Sequence, residues 1–117
     1  MSNITALEGL AILDDRLLTA SAALIYTVDT GKQLTGLSAI FCNHSTTQNL
    51  TIDIYLVRSG DSPTAQGKNH VVDGRLICTK ETLEWTCPLG LGAGDKVYAN
   101  ASVTSLVSMT TAGKIMS

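Results

Sequence analysis

The chain has 117 residues, enough for one hydrophobic core and too few for two. Its formal charge is −2 and 15% of its residues are charged, against roughly 25% in an average soluble domain, so its surface has to be built from Thr, Ser, Asn and Gly. The eight basic residues are scattered without a run, which argues against the clustered Lys and Arg of a nucleic-acid interface.

Aromatic residues make up only 4% of the chain, so Leu, Ile, Val and Ala must fill the interior. That composition favours strands over a cofactor pocket lined by rings. No stretch reaches the roughly 18 apolar residues of a membrane span, and Met1-Ser2-Asn3-Ile4 lacks the basic lead of a signal peptide. The expectation is a chain made in the cytoplasm with no membrane partner.

In chain order, Ile4 to Leu13 places Leu7, Leu10 and Leu13 at helical spacing, but Gly9 weakens a helix, and residues 1–14 are read as an arm ahead of a domain at 15–117. From Leu18 to Val28 the residues Leu18, Ala20, Ala22, Leu24, Tyr26 and Val28 recur at period two, which predicts one strand with those side chains on one face. Asp29-Thr30-Gly31-Lys32 is a turn. The strand from Gln33 to Asn43 is apolar on both faces after Leu37, the pattern of a strand covered on both sides. After a polar loop at 43–49, Leu50 to Arg58 alternates most clearly, with Leu50, Ile52, Ile54 and Leu56 facing inward.

Ser59 to Gly67 reads as an exposed loop long enough to carry contacts. Short strands follow at Arg75 to Thr79 and Thr82 to Cys87, with Pro88 ending the second. A glycine-rich turn, Leu89 to Asp95, leads into a strand from Lys96 to Val103, and a last short strand is placed at Lys114 to Ser117. About seven or eight strands with no long helix predict an all-β fold, an antiparallel β-sandwich of jelly-roll or immunoglobulin-like type.

Residues that could carry chemistry are few. Gly90 to Lys96 lacks the glycine spacing of a phosphate loop, and Asp95 would repel a phosphate. His44 and His70 sit in predicted polar loops; Ser45 and Asp73 could complete a triad by count, but no strained Gly-x-Ser-x-Gly occurs. Asp14-Asp15 and Asp53 read as turn and strand-face residues. Asn3, Asn43, Asn49 and Asn100 each begin an Asn-x-Ser/Thr triplet, which abundant Ser and Thr explain by chance. Cys42, Cys78 and Cys87 form no metal-binding spacing and read as buried thiols, with a crosslink between subunits left open by the odd count. No catalytic, cofactor-binding or metal-binding residue is therefore expected.

Tyr26-Thr27-Val28-Asp29-Thr30-Gly31-Lys32, the strand ending Cys42-Asn43, Val57-Arg58-Ser59-Gly60-Asp61 and Gly94-Asp95-Lys96-Val97-Tyr98 together carry a resemblance to a group of small virion structural proteins of tailed bacteriophages. It covers Leu10 to Ser117, and departs from the group's pattern at Asp29, where proline is usual and would stiffen the turn. The resemblance implies a β-sandwich module of the tail, neck or fibre apparatus, located in the virion, without catalytic residues or cofactors.

Its partners would be copies of itself and other virion proteins. Ile4 to Leu13 and Ser108 to Ser117 are too apolar for free tails, so each is expected to pack on a neighbouring subunit. A capsid decoration protein is the alternative. A secreted carbohydrate-binding sandwich is a third reading, for which Trp85 and Tyr98 are the candidate sugar-stacking residues.

Overall fold

The computed structural model describes residues 11–64 and 67–117. Eight strands follow one another: β1 (Ala11–Leu17), β2 (Ala23–Thr27), β3 (Gln33–Asn43), β4 (Leu50–Val57), β5 (His70–Ile77), β6 (Thr82–Thr86), β7 (Lys96–Ala101) and β8 (Val107–Met116). They form two four-stranded antiparallel sheets, one ordered β1-β8-β3-β6 and the other β2-β7-β4-β5. Successive strands alternate between the sheets except for β4 and β5, which are neighbours in one; this is the jelly-roll arrangement, which decides between the two sandwich types the sequence leaves open.

The core lies between the sheets and is almost entirely hydrocarbon. Leu34, Leu37, Ala39 and Phe41 of β3 and Val107 and Met109 of β8 face Ile52 and Ile54 of β4 and Val97, Ala99 and Ala101 of β7. Phe41, the only phenylalanine, is completely buried. The alternation read along β4 holds from Leu50 to Ile54, with Leu50, Ile52 and Ile54 buried and Thr51 and Asp53 on the outer face; beyond it Tyr55 is buried although it lies on the outer face, and Leu56 is only partly buried.

Several sequence expectations change. The expected strand over Leu18 to Val28 is a crossing between sheets followed by the short β2, while β1 takes up residues 11–17, the first four of which were assigned to an arm. In β2 the pairing with β7 shifts between Leu24 and Tyr26, so Ile25 is an extra residue that turns into the core and Leu24 points outward. The outer face of β3 is uncovered, with Ile40 48% exposed.

β8 is the largest change. The segment expected to dock on another subunit is the long strand between β1 and β3, and it completes its own chain's sheet. Its inward residues Val107, Met109, Thr111 and Gly113 include two that carry no apolar signal, which hides the strand from periodicity. The other segment in that expectation, Ile4 to Leu13, lies outside the described residues up to position 10 and in β1 from Ala11.

Candidate functional site

Among the described residues a dense polar arrangement lies on the outer face of the β2-β7-β4-β5 sheet. Register places Leu24 beside Tyr98, Tyr98 beside Tyr55 and Tyr55 beside His70, one row across all four strands. In the next row Asp53 of β4 is opposite Asn100 of β7. Asp53 Oδ1 accepts hydrogen bonds from the Gly74 N–H at 2.8 Å and stands 2.9 Å from His70 Nε2, while Oδ2 accepts from Asn100 Nδ2 at 3.1 Å. The His70 ring stacks on Tyr55 with centroids 4.4 Å apart. Burial, reinforced by the nearby charges of Asp53 and Asp73, holds the Tyr55 hydroxyl above the ordinary tyrosine pKa.

The backbone explains why these groups converge. Relative to β4, strand β5 carries an extra residue between the partners of Ile52 and Ile54 and another between those of Ile54 and Tyr55. Gly74 supplies the left-handed conformation of the first bulge, with φ of 69°. Asp53 thus ties both bulges of β5, through the Gly74 amide and the His70 ring, to the centre of the sheet. His70 was expected in a solvated loop; it is a strand residue whose side chain is 4% exposed.

One donor atom from each of Asp53, His70 and Asp73 lies within 4.8 Å of the others, which is compact enough for a cation. The Asp53 oxygens, however, are already engaged by three donors, and Asp73 is largely exposed, its Oδ1 3.9 Å from His70 Nε2. These contacts join one carboxylate to an imidazole, a backbone amide and a side-chain amide, and so tie β5 to β4 and β7. The chemistry of the arrangement is that of a structural clamp.

The other candidate residues are dispersed. His44 Nε2 is 2.9 Å from Ser108 Oγ, whereas Ser45 Oγ accepts from the Thr47 and Gln48 amides inside its own loop. The triad conceivable by count therefore does not assemble. Asp14 pairs with Arg16, while Asp15 faces outward on the other sheet. In the glycine-rich turn, Asp95 itself accepts the Gly92 and Ser59 amides, so a carboxylate of the chain fills the place an anion would take.

Trp85 packs toward the core from the inner side of β6 and Tyr98 lies outside β7 on the opposite sheet, so the two proposed sugar-stacking rings share no surface. Asn43 is buried, donating to the Gln48 and Ile77 carbonyls and accepting from the Ser45 amide, an environment closed to a glycan. Cys42, Cys78 and Cys87 are free thiols; Cys87 is buried as expected, Cys42 half-buried and Cys78 exposed.

The outer face of the β1-β8-β3-β6 sheet is of another kind. Its cross-strand rows run Ile12, Ala112, Ser38, Thr86; then Asp15, Thr110, Ile40, Glu84; then Leu17, Ser108, Cys42, Thr82. Short, mostly uncharged side chains line this face, and Ile12, Leu17 and Ile40 remain well exposed on it. The two charges in these rows, Asp15 and Glu84, sit on the edge strands.

No family model matches the sequence, and no curated protein matches it. Among solved structures the fold is similar to a chain of the T13 IBDV viral particle, whose crystal structure is described as revealing a missing link in the evolution of icosahedral viruses. The two align with a TM-score of 0.51 and 9% identity over 91% of this chain and 30% of that one. The likeness is one of fold, and this chain spans about a third of the viral chain's length.

Proposed function

We propose that this chain is a virion structural protein of a tailed phage, a jelly-roll module that works by binding other proteins in the tail, neck or fibre apparatus. The observation that carries this reading is the outer face of the β1-β8-β3-β6 sheet, weakly charged and bearing exposed Ile12, Leu17 and Ile40. Short Thr, Ser and Ala side chains lose little rotamer entropy on burial, and depletion of charge is the mark of an interface core. Jelly rolls recur in viral capsid proteins, in lectins and in cupins, so the fold alone does not choose among them.

The described residues favour the first. The interior is packed hydrocarbon, and the two candidate sugar-stacking rings, Trp85 and Tyr98, are on opposite sheets. The chain's likeness to part of a viral particle chain supports the same reading at the level of architecture. A capsid decoration protein would use the same face against a different neighbour.

Quantitative mass spectrometry of purified particles tests the proposal. Retention of the chain at a fixed ratio to known virion proteins is expected, with a few to a few dozen copies, on the order of one symmetric ring or several, for a tail or neck position. Copies on the order of hundreds would move it to the capsid surface, and absence from washed particles would refute a virion role.

A further inference from the structure

The two sheets have four edges, and three are built irregularly. β1 carries an extra residue between Ile12 and Asp14, β2 between Leu24 and Tyr26, and β5 carries two. Bulges of this kind twist an edge and break the row of groups a foreign strand would need. The fourth edge, β6, pairs with β3 from Thr82 to Thr86 without a shift.

The direction of its free groups follows from its ladder. The Cys87 N–H donates to the Leu37 carbonyl at 2.8 Å, and the Glu81 carbonyl accepts from Asn43 N–H at 3.0 Å, so the odd-numbered residues of this segment bond to β3. By antiparallel alternation, the N–H and C=O groups of Thr82, Glu84 and Thr86 point to the open side. No described residue occupies that side.

We infer that β6 is a pairing edge for β6 of a second copy of this chain, joined antiparallel about a two-fold axis into one continuous eight-stranded sheet. This deepens the reading of the chain as an assembly module and rests on it for its use in the particle. The edge can pair with itself. With Trp85 opposite Trp85 on the axis, each Glu84 faces a Thr86, and Leu83 faces Cys87 on the inner side. The register centred on Glu84 would set two carboxylates directly opposite, which is unfavourable. Trp85 is the chain's only tryptophan and is partly exposed at this edge, and an aromatic pair at a closely spaced site adds packing.

The outward faces agree. Thr82, Glu84 and Thr86 alone occupy the outer side of β6, and none of them is a lysine or arginine that would guard the edge. A five-residue strand buries less than the roughly 1,000 Å² of a stable interface, so pairing should depend on concentration in solution and strengthen where copies are held side by side.

Sedimentation and amide exchange on the full chain test this. From dilute protein to about 1 mM, the mass should rise toward a dimer and the amides of Thr82, Glu84 and Thr86 should slow by about tenfold or more, with the edges of β1, β2 and β5 unchanged. Glu84→Pro removes a free donor without touching a β3 hydrogen bond, and should leave a folded monomer; Thr86→Pro serves the same purpose should the first variant unfold. A strict monomer at the highest concentration, or a dimer in which these three amides exchange as fast as in the monomer, would overturn the inference. Neither result bears on whether the chain is found in particles, so the two proposals fail separately.

Discussion

Asp53 gathers donors from three places in the chain: the His70 ring and the Gly74 amide of the edge strand, and the Asn100 amide of the neighbouring strand. Removing the carboxylate strands those donors in a partly buried site, where each lost partner costs more than a hydrogen bond gains in water. Asp53→Ala should lower unfolding stability by about 2–3 kcal/mol in urea titration, and Gly74→Ala by about 1 kcal/mol because its φ is left-handed although space for a methyl exists. A loss under about 0.5 kcal/mol for Asp53→Ala would show that the clamp is incidental. Tyr55 supplies a pH test. Burial and the charges of Asp53 and Asp73 raise its pKa in the folded state. The unfolded chain therefore releases this proton first, so the stability the hydroxyl contributes is complete below the ordinary tyrosine pKa of about 10 and is lost as pH climbs through the folded value. Thermal scans of Tyr55→Phe should show a shallower alkaline loss than the parent protein; equal slopes would contradict the assignment.

Elements differ in how far their own residues specify them. β4 and β7 sit at the centre of their sheet and alternate, β7 throughout and β4 from Leu50 to Ile54, so period two reveals both their existence and their phase. Ile52→Asp should abolish the cooperative unfolding transition, since the carboxylate would enter hydrocarbon, whereas Thr51→Asp on the outer face should keep it in circular dichroism melts. If both variants unfold alike, the phase of β4 is wrong. β2 and β5 were harder to read because each extra residue resets the alternation, and a bulge is defined by the partner strand rather than by the residues within it. The clamp was illegible for the same reason. Asp53 was recognisable as a strand-face residue, but nothing local brings His70, seventeen positions away, against it; the bulges of β5 do that. β8 escaped because Thr111 and Gly113 occupy inward positions, and Gly113 is there because a Cβ would come within 2.6 Å of Leu34.

For the whole molecule, low charge and a shortage of rings proved informative about what the surface and core are made of, and the jelly-roll order was already among the sandwich types that composition and turn spacing allow. What the sequence could not supply is the distribution of irregularity among the edges, which concentrates the open pairing groups on β6, or the weakly charged outer face that only register can assemble from four distant strands. Those two surfaces adjoin: Thr82, Glu84 and Thr86 belong to both, so an assembly could extend the sheet along β6 while another protein covers its face. The most direct test of the central claim is a cryo-EM reconstruction of the intact particle at side-chain resolution. The account predicts the jelly roll in a symmetric ring or array, with Ile12, Leu17 and Ile40 buried against another virion protein. A particle in which the chain is absent, or is present with that face open to solvent, would contradict it.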